Sequence, residues 1–147
     1  MFWLFLLVAF LAGFVFPFQA GINAQLRQWI GHPLLAAFIS FSVGTLVLAV
    51  CPTAFGLSFP GWQAVKLIPW WAWTGGVLGV ISVVSSIVLA PRIGAAALIA
   101  TIVAGQMMAS MLLDHWGLLG FRFHPITAWR LVGAGMVIGG VWLIQRN

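Results

Sequence analysis

The chain has 147 residues, of which 63% are hydrophobic and 5% are charged, and its mean hydropathy is +1.16. Soluble domains are about half apolar and about a quarter charged, so this composition excludes a soluble globular protein. The net charge of +5 comes from 6 isolated Lys and Arg residues against the single acid Asp114, and it forms no basic stripe of the kind that binds nucleic acid.

Five apolar stretches follow one another along the chain, and each is long enough to cross a bilayer as a helix. About 20 helical residues cross about 30 Å of hydrocarbon, where only helices and closed barrels satisfy their backbone hydrogen bonds. The period-2 alternation that a barrel requires is absent. The predicted spans run over about 2–25, 34–50, 70–90, 94–113 and 128–145. The sequence therefore predicts an all-α integral membrane protein, a single bundle of five transmembrane helices over residues 1–147.

Prolines mark several predicted ends of these spans. The first span is followed by Pro33, Cys51-Pro52 ends the second, and Pro91-Arg92 separates the third from the fourth. The first stretch has no basic residues before it and no convincing cleavage site, so we expect a retained span rather than a signal peptide. For residues 52–69 the sequence leaves open whether the segment crosses the bilayer or lies on its surface.

Lys and Arg residues are divided equally between the two sides of this five-helix topology. One side receives Lys66, Arg122 and Arg130, and the other receives Arg27, Arg92 and Arg146. Orientation normally follows an excess of Lys and Arg on the cytoplasmic side, and here there is none. Two interpretations stay open: weak cues orient the chain, or it inserts both ways and pairs with a partner of opposite orientation. Two antiparallel chains would form an inverted repeat of ten helices, which places a substrate site at the midplane.

Polar residues inside the spans are the candidates for a substrate path. Gln106 lies near the middle of the fourth span, and Ser82 lies in the third. Gln19 and Asn23 are four residues apart and hence on one face of the first helix. The alternative is that these side chains only bond neighbouring helices to one another, at about 0.6 kcal/mol for each bond.

Two pairs of glycines predict close helix packing. Gly75 and Gly79 lie in the third span, and Gly135 and Gly139 lie in the fifth. Small residues at this spacing let two helix backbones approach each other, although such pairs are also frequent by chance. We expect the pair in the fifth span to contact a partner chain.

The sequence argues against an enzyme, a metal site and a bound cofactor. His32, His115 and His124 lie outside the spans without the spacing of a metal site. Asp114 and His115 are adjacent and form an acid–base candidate, but polar residues at the membrane boundary are routine, so a boundary role is favoured. The single cysteine, Cys51, excludes an intrachain disulfide.

Several stretches carry a resemblance to a known family. They are Gln19-Ala-Gly-Ile-Asn-Ala-Gln-Leu26 with Pro33 and Ser40-Phe-Ser-Val-Gly-Thr45, Pro69-Trp-Trp-Ala-Trp-Thr-Gly-Gly76, and 94–114 with Ile102-Val-Ala-Gly-Gln106 and Leu112-Leu-Asp114. Through them the chain resembles the YdcZ-type family of inner-membrane exporters, in the drug/metabolite transporter superfamily. The resemblance covers nearly the whole chain.

The resemblance implies a multi-pass transporter of the bacterial inner membrane that exports an unidentified small molecule. It implies half of an inverted repeat, which works as an antiparallel homodimer or as a heterodimer with a related five-helix chain. The four-helix multidrug members of this superfamily couple transport to protons through a carboxylate in their first helix. The first span here has neither Asp nor Glu, so that mechanism is not carried over.

Two other functions stay open from the sequence. One is a non-transporting structural or accessory subunit of a membrane complex. The other is a small dual-topology ion channel, which would need a polar pore ring that the sequence does not show.

Overall fold

The structure is a computed structural model that describes residues 2–146, and it is helical with no strand in that range. Met1 and Asn147, the ends of the predicted domain, lie outside the described residues. The helices are α1 (Phe2–Ile30), α2 (Pro33–Ala54), α3 (Trp62–Lys66), α4 (Thr74–Ile93), α5 (Ala95–Trp116) and α6 (Ala128–Arg146). Within the described range, 5 helices are long and apolar enough to cross a membrane, which leaves out only the short α3. The predicted all-α membrane fold is confirmed.

Glycines with positive φ stand where the long helices are interrupted. They are Gly31, Gly56, Gly94 and Gly117, whose φ angles are 84°, 67°, 80° and 60°. At the end of α2, the N–H of Gly56 donates to the carbonyl of Thr53 at 3.1 Å, and the N–H of Leu57 donates to that of Pro52 at 2.8 Å. This pair of bonds satisfies carbonyls that a helix end leaves free, and it needs a left-handed residue that only glycine adopts without steric cost.

Two helix ends differ from the sequence prediction because of these glycines. We expected helices to stop at Cys51-Pro52 and Pro91-Arg92, but α2 continues to Ala54 and α4 to Ile93 with the prolines inside them. A proline removes one N–H donor and crowds the carbonyl four residues before it. Its own carbonyl still accepts a hydrogen bond, so a proline near a helix end weakens the helix without stopping it.

The chain divides into two compact units, the first of which ends at Arg92. Its buried cluster is Ala36 and Ala37 of α2 with Ile87 of α4, which are 0%, 2% and 0% exposed. Packed against this cluster are Leu26 of α1 and Val83 and Val84 of α4. Because lipid is as apolar as these side chains, close packing rather than removal from water stabilises the cluster in a bilayer. Two adjacent alanines allow that close packing.

The sequence left the segment 52–69 open, and its residues from 55 onward do not form a spanning helix. Its α3 has 5 residues, from Trp62 to Lys66, and a short 3₁₀ helix covers Trp70–Trp73. The ammonium group of Lys66 lies 5.6 Å from the centre of the Trp62 ring, a distance at which a cation is attracted to the face of an indole. An α-helix of that length reaches about 7.5 Å, far less than the hydrocarbon thickness.

The second unit begins at Ile93 and contains the antiparallel pair α5 and α6. Its buried residues are Ala97, Leu98 and Met111 of α5 and Ala134 of α6. Towards one end of the pair, the side-chain amide of Gln145 donates to the hydroxyl of Thr101 at 3.0 Å. The opposite end is held by the polar loop described below. The prediction that all five spanning helices form one domain stays a prediction.

Candidate functional site

The C-terminal half of α1 carries two of the predicted path residues on one face. Asn23 is 4% exposed and shares a buried face with Ala20 and Ala24. Gln19, one turn earlier, is exposed. Residues four apart lie above one another on a helix, so the two amides are neighbours, one inside the packed part of the first unit and one at its surface.

Ser82 lies in the middle of α4 and is also exposed. The following Val83 and Val84 pack on the buried cluster with Ile87. The carbonyl of Ser82 accepts a hydrogen bond from the hydroxyl of Ser86 at 2.9 Å, which satisfies Ser86 within its own helix. Ser82 therefore lies beside the packed face of α4 and belongs, like Gln19 and Asn23, to the first unit.

Gln106 lies at the centre of α5, in the second unit. Its side chain is exposed and makes no hydrogen bond to any residue within 2–146. A helix of this length extends about 33 Å, so its centre coincides with the middle of the hydrocarbon when it spans a bilayer. Gln106 therefore presents two amide donors and a carbonyl acceptor at mid-depth without using them inside the chain.

The predicted packing glycines have different surroundings. A Cβ atom on Gly79 would lie 3.7 Å from Cζ of Phe41, so that glycine contacts α2. A Cβ on Gly75, Gly135 or Gly139 would meet no atom within 4 Å. The surfaces at these three glycines are open in the single chain, and the contact of Gly135 and Gly139 with a partner chain stays a prediction.

A polar cluster at the junction of α5 and α6 is the main feature that sequence reasoning missed. Arg130 in the first turn of α6 forms an ion pair with Asp114 near the end of α5, and the two side chains are 34% and 22% exposed. Nη1 of Arg130 also donates to the carbonyl of His124 at 2.9 Å. The guanidinium group thus joins both ends of the connecting loop.

The backbone of the same loop is bound to the end of α5. The N–H of His124 donates to the carbonyl of Asp114 at 2.9 Å, and the N–H of Ile126 donates to Nδ1 of His115 at 3.2 Å. Because Nδ1 accepts, a neutral His115 ring carries its proton on Nε2. Asp114 and His115 were expected at the membrane boundary, but not as the two groups that hold this loop. The one sequence signal for this ion pair was that an acid, Asp114, and an arginine, Arg130, flank a single predicted loop.

The first unit contains an open groove at the end of α1. Its volume is about 410 Å³, and Ala24, Arg27, Gln28, Gly31 and Pro91 line it. Arg27 is half-buried and Gln28 is exposed. The groove combines one full positive charge with one neutral amide.

The described side chains do not assemble a metal centre. Within 2–146, no three His, Cys, Asp or Glu side chains come together as metal ligands. The polar side chains present are amides, hydroxyls, imidazoles, cations and one carboxylate, which is paired with Arg130. Such groups bind solutes by hydrogen bonds and charge.

Comparison with known proteins assigns the family. Residues 4–143 match the family described as "Putative inner membrane exporter, YdcZ". The chain is 31% identical over 149 aligned positions to the inner membrane protein YdcZ of Escherichia coli (strain K12), in an alignment that covers 97% of this chain and 96% of that protein. No solved structure matches the chain. With its five apolar helices, the chain belongs to the YdcZ family of multi-pass inner-membrane exporters, which are transporters rather than enzymes.

Proposed function

We propose that the chain is half of a small-molecule exporter, which works as an antiparallel dimer of identical chains or with a related five-helix chain. The observation that carries this proposal is the exposed amide of Gln106 at the centre of α5. An unpaired amide in hydrocarbon costs several kcal/mol. A second chain or a bound solute at this position removes that cost, and a polar group at mid-depth suits a transport path.

The open glycine surface of α6 supports a second chain. Gly135 and Gly139 lie one turn apart and have no neighbouring atom at their Cβ positions. Glycines at this spacing allow a helix from another chain to approach closely, where dispersion and weak Cα–H hydrogen bonds stabilise the pair.

The equal division of charge supports an antiparallel arrangement. Arg27, Arg92 and Arg146 each lie in the last turn of a membrane helix. They balance the three cations of the other side, namely Lys66, Arg122 and Arg130. Without a charge bias, both orientations insert with similar probability. A pair of opposite orientation has a two-fold axis in the membrane plane and places its substrate site at mid-depth.

The proposed path binds solutes through hydrogen bonds. Gln19, Asn23, Ser82 and Gln106 supply amides and hydroxyls, whereas the single carboxylate of the chain, Asp114, is paired with Arg130. This set disfavours a strongly cationic substrate, for which only aromatic faces would remain as attractive partners.

A flux measurement tests the exporter. Purified protein is reconstituted in liposomes loaded with a cell metabolite extract, and the retained solutes are measured by mass spectrometry over time. We expect selective loss of one class of solutes compared with empty liposomes. Retention of every solute, together with co-purification in a larger complex, would favour an accessory subunit. Ionic currents in planar bilayers without solute loss would favour a channel.

Cysteine cross-linking tests the antiparallel arrangement, in a background where Cys51 is replaced by serine. Gly139 lies near the middle of α6, while Ala128 lies on the same face at its first residue. In an antiparallel dimer, two copies of position 139 differ in depth by about 6 Å and two copies of position 128 by about 27 Å. A bismaleimide linker of about 8 Å should therefore join Gly139→Cys chains and leave Ala128→Cys chains separate, given the Cα distances of linked cysteines. Cross-linking at both positions would indicate a parallel dimer.

A further inference from the structure

We propose that the groove at the end of α1 is a binding site for an anionic group, a phosphate or a carboxylate, held by Arg27 and Gln28. When the anion belongs to a free solute, the substrates of the exporter are organic anions. That second part rests on the proposed export function, whereas the binding site does not. The same chemistry has a second source, the phosphate group of an anionic lipid, and the experiment below separates the two.

The groove has the size and position of a ligand site. Its volume of about 410 Å³ falls within the range of about 300–1,000 Å³ typical of small-molecule sites. All of its lining residues belong to the first unit. Arg27 is in the last turn of α1, and Pro91 is near the end of α4. The groove therefore opens where these two helices end, at the membrane boundary.

No side-chain carboxylate neutralises the charge in this groove. The chain contains one side-chain carboxylate, Asp114, and that carboxylate is bound to Arg130. Arg27 is half-buried, so its guanidinium group is partly removed from water and is stabilised by an anionic partner. The planar guanidinium group binds phosphate and carboxylate with two parallel hydrogen bonds. The neighbouring amide of Gln28 adds two N–H donors.

The electrostatics of the helix ends leave an anion favoured. The C-terminal ends of α1 and α4 each carry about half a negative charge. Arg27 in the groove and Arg92, directly after Pro91, each carry a full positive charge in those same last turns. Together these two positive charges exceed the negative charge of the two helix ends. A cationic ligand would be repelled, and a neutral one would leave Arg27 uncompensated.

The groove continues a polar stripe that runs along α1. Gln19, Asn23 and Arg27 follow one another at a spacing of four residues within α1, so each lies about one turn from the next on neighbouring parts of the helix surface. The stripe begins at amides proposed for the path and ends at Arg27, which lines the groove together with Gly31 just beyond the end of α1. A solute whose negative group binds Arg27 and that extends about 12 Å along α1 would reach the exposed amide of Gln19, whereas Asn23 between them is buried.

The binding experiment uses the full chain in uncharged maltoside micelles, with inorganic phosphate as the probe. Binding is measured as the rise in melting temperature by circular dichroism, because a ligand of the folded state stabilises it by mass action. Sodium chloride of equal ionic strength is the blank. We expect a saturable rise for the native chain and at least about 10-fold weaker binding for Arg27→Gln, which loses the charged fork. The matched control Arg146→Gln removes the same charge from the last turn of α6 and should change the affinity less than about 2-fold.

The lipid experiment compares nanodiscs of phosphatidylglycerol and phosphatidylcholine, followed by native mass spectrometry of the released protein. Retention of phosphatidylglycerol that is lost in Arg27→Gln, with no displacement by phosphate, supports the site and identifies its anion as a lipid head group. Arg27-dependent binding of phosphate that displaces the lipid supports the site and the organic-anion substrates. If phosphate and phosphatidylglycerol bind Arg27→Gln as they bind Arg146→Gln, the inference is overturned.

A second variant keeps the test decisive if Arg27→Gln does not fold. Gln28→Leu keeps the charge and removes the amide, and we expect about 3-fold weaker phosphate binding from the loss of one neutral hydrogen bond. Unchanged binding in that variant overturns the assigned role of Gln28.

Failure of this inference is also separable from failure of the exporter. Solute efflux without Arg27-dependent binding overturns only the anion site, whereas Arg27-dependent binding without efflux overturns only the export function.

Discussion

Replacing Arg130 should loosen the connection between α5 and α6 more than replacing the carboxylate to which it is bound. The guanidinium group has two acceptors, the carboxylate of Asp114 and the carbonyl of His124 at 2.9 Å. Asp114→Asn keeps an oxygen that accepts a weaker hydrogen bond from Arg130. Arg130→Gln, by contrast, removes both bonds and releases the loop carbonyl as well.

The expected loss of stability follows from the exposure of the Asp114 and Arg130 side chains. A hydrogen bond to a charged group contributes about 1.5–3 kcal/mol when shielded and an exposed ion pair about 0.2–1 kcal/mol. Asp114 and Arg130 are 22% and 34% exposed, so we expect an intermediate contribution. Asp114→Asn should lower the free energy of unfolding by about 1 kcal/mol and Arg130→Gln by about 2 kcal/mol. The double variant should resemble Arg130→Gln alone, with a coupling energy of about 1 kcal/mol.

The assay is unfolding by sodium dodecyl sulfate in mixed micelles, followed by the helical circular dichroism signal. Arg122→Gln is the matched control, because it removes an exposed arginine from the same loop, and its effect should stay within about 0.5 kcal/mol. If the two single changes add without coupling, the ion pair does not hold the loop and our reasoning is refuted. An equal loss in Arg122→Gln would show that the loop responds to net charge alone.

Three further predictions concern orientation, association and transport. Adding two lysines beside Lys66 should direct the Lys66 side of the membrane protein to the cytoplasm, and adding them beside Arg27 should direct the Lys66 side outward, as measured with a C-terminal reporter. If the reporter signal stays the same in both variants, the support for dual insertion is removed. Gly139→Leu should lower the dimer fraction in mild detergent by at least half, whereas Gly105→Leu in α5 is the control for added bulk at another open glycine. Gln106→Leu should abolish solute flux while expression and dimerisation stay near normal; lower stability with normal flux for each folded molecule would instead indicate a packing role.

Composition made the membrane helices predictable, since every long helix coincides with an apolar stretch that hydrophobicity alone identifies. Their ends were less predictable. Helix ends were predicted at Pro52 and Pro91, but the residues at which the helices are interrupted are Gly56 and Gly94. Their φ angles of +67° and +80° are properties of the folded backbone. A glycine in a sequence does not show whether it will adopt that conformation.

Some features of the candidate site could likewise be predicted from the sequence and others could not. The i and i+4 relation of Gln19 and Asn23 is set by helix geometry and was readable from the sequence. The burial of Asn23 to 4% depends on which helix packs against α1, and periodicity does not determine this. The pairing of Asp114 with Arg130 depends on the path of the intervening loop, which has little regular structure. Residues far apart in sequence come together only through such paths.

The tryptophans have a consequence for how this protein is observed. All 9 are on the surface of the single chain, with exposures from 51% to 86%. They are Trp3, Trp29, Trp62, Trp70, Trp71, Trp73, Trp116, Trp129 and Trp142. Their fluorescence should therefore report the surroundings of the chain rather than its interior. Brominated lipids, whose bromine atoms quench indoles on contact, should quench most of this fluorescence. Any indole that stays bright in such lipids marks a surface that another protein chain has covered.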